Sequence, residues 1–189
     1  MDEILKKIIA FADKAHGDQR RKYADEKYIE HPLRVMKTCQ DHNYPLPVLA
    51  AAILHDVVED TETTPHQIKE FLLTLMNEKD ASRTLNLVIE LTDVYTKAQY
   101  PQLNRRRRKA KEAARLEMTS AEAQTIKYAD IIDNAKDIAV HGDDFALVFL
   151  NECRTLLEKM KKGNNELREK AIVTIENEKQ RLGKQDLHS

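Results

Sequence analysis

Apolar residues recur along the chain at helical spacing, and the few glycines and prolines fall between the periodic stretches, as helix punctuation does. Ile4, Leu5, Ile8, Ile9, Phe11 and Ala12 predict an opening helix that stops at Gly17, followed by a polar loop from Asp18 to Lys27. Pro32 suits a first helical position, which puts His31 at or near an N-cap. From about Pro47 to Asp60 the chain is apolar around its whole circumference and predicts the central buried helix, with a polar cluster at its end. Thr64-Pro65-His66-Gln67 reads as a capping box, and Thr119 with Glu122 repeats the pattern. From Ser120 the apolar positions Ala123, Ile126, Ala129, Ile132 and Ala139 continue to about His141, where Gly142 is the stop. Two further helices, at roughly 144–162 and 165–182, flank Gly163-Asn164-Asn165. No stretch alternates long enough for a sheet and no repeat is present. The pattern predicts an all-α chain, a single compact bundle of roughly eight to nine helices, with residues 1–183 as one domain and a polar tail at 184–189.

Composition narrows the partners. Hydrophobic residues make up 41% and charged residues 33% of the 189, which supplies a core beneath a heavily charged surface. A net charge of -1 gives no global basic field, so neither nucleic acid nor an anionic membrane is an expected partner. Asp2, Glu3, Lys6 and Lys7 interrupt the first apolar stretch, so the unbroken apolar run of a signal peptide is lacking and none is expected, and no run reaches the ~18 apolar residues of a membrane span. A cytoplasmic location is expected. Cys39 and Cys153 lie in helical segments with no CxxC partner and read as buried, inert thiols of a reducing compartment.

The chemistry concentrates in Leu54-His55-Asp56-Val57-Val58-Glu59-Asp60, which sets an imidazole and three carboxylates at the end of the most apolar helix. Such a cluster needs a cation or hydrogen bonds to offset the cost of burying charge. Helical spacing pairs His55 with Glu59 and Asp56 with Asp60, two stripes facing one cavity. His31 and Asp130, the latter set among apolar residues on its helix, complete a candidate metal set of His31, His55, Asp56 and Asp130. Two nitrogens and two hard carboxylates without thiolate suit Mn²⁺, with Fe²⁺ or Co²⁺ as alternatives, at a catalytic site with open positions. Glu59 or Asp60 is placed to position or deprotonate water, so hydrolysis of a phosphate ester fits these parts.

The motifs resemble the HD-domain superfamily, and within it the hydrolase domain of RelA/SpoT homologues, in particular small alarmone hydrolases of the Mesh1 type. His16-Gly17-Asp18-Gln19-Arg20-Arg21-Lys22-Tyr23 is similar to that family's HxxQxRKY, and Tyr28-Ile29-Glu30-His31-Pro32 to its YIxHP. Residues 49–61 resemble LAAxLHDxxEDT, Leu91-Thr92-Asp93 resembles VTD, and residues 127–134 resemble KxADxxxN. The resemblance implies an HD-domain helical bundle in which His31, His55, Asp56 and Asp130 bind Mn²⁺, Glu59 and Asp60 act on water, and Arg21, Lys22 and Asn134 hold a nucleotide. The implied reaction removes the 3′-pyrophosphate of (p)ppGpp, leaving GDP or GTP. No synthetase domain is expected after the last two helices. Asp25, Lys27 and Tyr128 depart from the family pattern, and they are expected to alter the loop and the wall near the nucleotide.

Arg105-Arg106-Arg107-Arg108 has two readings, a solvated helix start or a lid whose arginines meet phosphates. His16 likewise either supports the site or caps its helix. The competing functions are another HD nucleotide phosphohydrolase, such as a 5′-nucleotidase or a (p)ppApp or NADPH phosphatase, and a helical module that senses a nucleotide.

Overall fold

The computed structural model describes residues 2–22, 24–140 and 144–185. Tyr23, the expected stop at Gly142, His141, His188 and the tail beyond Gln185 lie outside the described residues. Among the described residues there are ten α-helical segments and no strand, with one isolated antiparallel bridge between Arg20 and Lys27. The all-α class predicted from the pattern is the class observed. The chain forms two compact units, Met1–Thr92 and Asp93–Ser189.

In the first unit, α1 (Glu3–His16) opens with the Asp2 side chain accepting from the Ile4 N–H, and it buries Leu5, Ile8, Ala12 and His16 at spacings of three and four. Gly17 ends it as expected, with φ +57°, a backbone conformation that disfavours a side chain. Helix α2 is Glu30–Asp41, so it begins two residues before Pro32. The backbone is already helical at Ile29, and the missing proline N–H still falls in the first turn, where no intrahelical acceptor exists.

The long helix expected over 47–60 is split. Helix α3 (Leu46–Leu54) is buried from Pro47 onward, the chain turns at His55 and Asp56, and the four-residue α4 (Val57–Asp60) resumes. Helix α3 packs against α1, α2 and α6, which is why its apolar positions cover every face. Helix α5 (Pro65–Leu73) carries the expected capping box between Thr64 and Gln67, and α6 (Glu78–Leu91) is capped by Asn77.

In the second unit, α7 (Arg105–Glu117), α8 (Ala121–Val140), α9 (Asp144–Lys159) and α10 (Asn165–Gln185) pack in the pairs α7–α9, α8–α9, α8–α10 and α9–α10. The start of α8 differs from expectation. Ser120 Oγ accepts from the Ala123 N–H, while the Thr119 hydroxyl turns back to the Leu116 carbonyl, so Ser120 and not Thr119 is the cap. Glu112, 4% exposed, accepts from the backbone N–H groups of Val94 and Tyr95 and pairs with Arg115, fixing the segment that enters the unit.

Tyr128 also corrects an expectation. Its side chain is fully buried and its hydroxyl donates to the Met160 carbonyl at 2.9 Å, so it anchors the α9–α10 connection. A Cβ added at Gly163 would stand 2.5 Å from Tyr128 Cε2 and 2.9 Å from the Thr125 backbone nitrogen. Gly163→Ala is therefore expected to destabilise the chain by about 1–3 kcal/mol, because overpacked side chains and backbone must shift. Tyr128→Leu in the same background recovers only part of the loss, since the Thr125 backbone contact stays; urea unfolding of the wild type and the two variants checks this.

Candidate metal centre

The break after α3 puts His55 at the helix end, where its Nδ1 lies 2.9 Å from the Ala52 carbonyl. A carbonyl only accepts, so Nδ1 carries the proton and Nε2 presents the lone pair, the form in which imidazole binds a metal. His31, on the first turn of α2, meets it edge-on, with ring centroids 5.3 Å apart. Asp56 Oδ2 lies 3.1 Å from His55 Nε2 and 3.6 Å from His31 Nε2. Ligand atoms of His31, His55 and Asp56 all fall within 4.8 Å of one another. Both imidazoles are buried and the Asp56 side chain is 19% exposed. Two imidazole nitrogens and a carboxylate oxygen, with no thiolate, fit a divalent cation with open coordination positions.

The catalytic candidates stand beside it. Asp60, on α4, receives the Tyr28 hydroxyl at 2.7 Å, and the same hydroxyl is 2.8 Å from Asp56 Oδ2. Partial burial raises the Asp60 carboxyl above the usual carboxylate range; the Tyr28 hydrogen bond opposes this and the Asp56 charge reinforces it. Burial, with the two aspartates, pushes the Tyr28 phenol far above its ordinary value, so it remains a neutral donor. Glu59 shares α4 and is exposed. Arg20 and Lys27 pair across the loop between α1 and α2, with Arg21 and Lys22 in the turn they close, and the Arg21 guanidinium lies 5.6 Å from the Tyr28 ring centre. Asp25, one of the departures, pairs with Arg20 in that loop.

Asp130 and Asn134 belong to the second unit. Asp130 is 4% exposed; its Oδ2 is 2.7 Å from Lys127 Nζ and its Oδ1 accepts from Asn134 Nδ2 at 2.5 Å. Both line a cavity of about 810 Å³, together with Asp93, Arg105, Arg106, Lys109 and Lys127. Tyr128 is not among its lining residues. The arginine run is divided: Arg105 makes a bidentate pair with Glu152 and lies over Phe145, Arg108 donates to the Leu103 carbonyl, and Arg107 is exposed. Among the described residues, Arg106 is the lining cation with no carboxylate or hydrogen-bonding partner. Cys153 lines the same cavity, and burial pushes its thiol, like that of Cys39, up to about 12.

A profile of the HD domain family matches residues 9–154. The chain belongs to the HD domain family. This HD domain is 34% identical over 131 residues to the human guanosine-3′,5′-bis(diphosphate) 3′-pyrophosphohydrolase MESH1, an alignment covering 68% of this chain and 65% of that protein. It is 30% identical over 145 residues to the guanosine-3′,5′-bis(diphosphate) 3′-pyrophosphohydrolase of Aquifex aeolicus, covering 75% of this chain and 19% of the other. The chain thus spans under two thirds of the length of either relative. A solved structure, described as a metazoan ortholog of SpoT that hydrolyzes ppGpp and plays a role in starvation responses, superposes with a TM-score of 0.78 at 23% identity. That superposition covers 94% of this chain and 96% of the other, and it shows a shared fold.

Sequence reasoning assigned no role to Tyr28 in this HD domain. The signal was there in Tyr28-Ile29-Glu30-His31, a phenol one helical turn before a candidate ligand, but its acceptors, Asp56 before α4 and Asp60 at its end, are remote in sequence. His16, left between two roles, lies under Tyr28 with ring centroids 4.4 Å apart, and so supports the site.

Proposed function

We propose that this HD domain is a metal-dependent 3′-pyrophosphohydrolase of (p)ppGpp-type alarmones, acting as one hydrolase domain over residues 1–183. The observation that carries the reading is the convergence of His31, His55 and Asp56 with a second carboxylate, Asp60, one turn beyond Asp56. The relatives' activities and the family profile, which runs across both units, support it.

In this reading His31, His55 and Asp56, with Asp130 as fourth ligand, hold Mn²⁺; Fe²⁺ and Co²⁺ suit the same donors. The bound cation supplies positive charge against phosphate oxygens and acidifies water. Glu59 and Asp60 orient a water and take its proton as its oxygen attacks the phosphorus bonded to the ribose 3′ oxygen. That ester bond breaks, the 3′ oxygen leaves with a proton, and the products are pyrophosphate and GDP or GTP. Arg21, Lys22 and Asn134 hold the nucleotide. The substrate is a small nucleotide, in keeping with a cytoplasmic location; no helix among the described residues is long and apolar enough to cross a membrane.

The test is one incubation with Mn²⁺ and equal amounts of ppGpp, ppApp, NADPH and dAMP, with products resolved by anion exchange. Pyrophosphate from ppGpp is expected. Orthophosphate from dAMP or NADPH alone assigns the chain to another HD chemistry, and no turnover of any substrate favours a nucleotide-sensing module. Arg106→Ala is expected to raise KM for ppGpp about tenfold with kcat little changed, because one charge-assisted contact to phosphate contributes about 1–1.5 kcal/mol at an exposed site; steady-state kinetics checks it.

A further inference from the structure

The geometry points to Tyr28 as a positioning residue whose one hydroxyl sets both the ligand carboxylate Asp56 and the water-handling carboxylate Asp60. The inference rests on the metal-hydrolase reading of the site. The hydroxyl reaches Oδ2 of each aspartate, at 2.8 and 2.7 Å. Asp56 begins the short segment and Asp60 ends it, and the Asp60 N–H bonds to the Asp56 carbonyl at 2.9 Å. One turn of helix and one phenol therefore lock the two carboxylates together.

Tyr28 is held in turn. Its ring stacks on His16 at 4.4 Å, and His16 Nδ1 lies 2.9 Å from Gln19 Oε1. The Gln19 amide donates through Nε2 to the Asp60 carbonyl at 2.8 Å, so its oxygen accepts and His16 Nδ1 is the donor. The Tyr28 N–H donates to the Gln19 carbonyl at 3.0 Å, closing a ring of contacts from α1 through the loop to α4. None of these groups needs to meet substrate to matter. A hydrogen bond from a neighbouring side chain fixes which lone pairs a ligand carboxylate presents, and losing such a partner commonly costs 10–100-fold in metal affinity or activity.

The two arms of the support separate in experiment. Tyr28→Phe keeps the ring and its stack while deleting the donor. It is expected to weaken Mn²⁺ binding, followed by electron paramagnetic resonance, about 10–100-fold. At saturating Mn²⁺ its kcat stays lowered, because Asp60 has also lost its donor, while KM for nucleotide holds. Gln19→Ala, at an exposed position, removes the amide's contacts to the Asp60 carbonyl and to His16 Nδ1 while leaving the Tyr28 hydroxyl against Asp56; it is expected to lower kcat with Mn²⁺ affinity within about twofold of wild type. Mn²⁺ affinity equal to wild type in a folded Tyr28→Phe, or no Mn²⁺ binding by the wild type, overturns the inference. A wild type that binds Mn²⁺ but turns over no nucleotide sinks the proposed function, and the Mn²⁺ titration of Tyr28→Phe still decides the role of Tyr28.

Discussion

Asp56→Asn is expected to lose at least about 10³-fold in kcat/KM, roughly 4 kcal/mol of transition-state stabilisation. The substitution keeps side-chain shape and removes one negative charge. That charge stands 3.1 and 3.6 Å from two imidazole nitrogens, and it is the anionic member of the three-residue cluster. Two neutral imidazoles and an amide bind a divalent cation weakly, so Mn²⁺ affinity falls with the rate. Stability without metal moves little. The carboxylate is not part of the apolar core, and the single proton of Tyr28 is shared with Asp60, so neutralising Asp56 also relieves a like-charge contact. The expected pattern is activity and Mn²⁺ binding lost together, with the melting temperature in EDTA within a few degrees of wild type. A variant that still binds and turns over would remove Asp56 from the site.

Asp130→Asn is expected to have the second-largest effect, through two separable causes. The carboxyl is buried and answers Lys127 at 2.7 Å, so the substitution takes that negative charge away from a mostly buried ammonium. That costs about 1–3 kcal/mol of stability, below the 3–5 kcal/mol of a fully buried pair because the Lys127 side chain is 21% exposed. In the proposed reading Asp130 is the fourth ligand, so its loss is also expected to lower Mn²⁺ affinity and, with it, the rate about 10²-fold or more. Lys127→Met added to Asp130→Asn separates these: stability in denaturant returns toward wild type while Mn²⁺ affinity and turnover stay low. Recovery of both in the double variant would mean that Asp130 acts only as the partner of Lys127.

Much of the frame was legible because its signals are local. The stop at Gly17 needs only a left-handed residue, the Thr64 cap needs only Gln67 three positions on, and the all-round apolarity of α3 states that it is surrounded. The misreadings share a different cause. Ser120 and Thr119 are equally good caps by residue type, and the choice fell to whichever hydroxyl the Leu116 carbonyl left available. Tyr128 drew notice as a departure from the family pattern beside Asp130; one position on a helix turns a side chain by about 100°, and its own side chain meets Met160 and Gly163. Residue type left the arginine run between a solvated helix start and a lid, and tertiary contacts divide it: Glu152 and Phe145 claim Arg105 and leave Arg106 to the cavity.

By itself the sequence determined the helical class, the positions of most helix ends and the chemical identity of the candidate ligands, since periodicity, capping and donor type are properties of a few adjacent residues. Only the tertiary structure decided that α3 breaks at His55, turning its Nε2 toward Asp56 and His31, and that one phenol from a loop spans Asp56 and Asp60. Those outcomes depend on which distant groups arrive within about 3 Å of one another, a distance at which hydrogen bonds and metal ligation are made and which no spacing along a chain encodes.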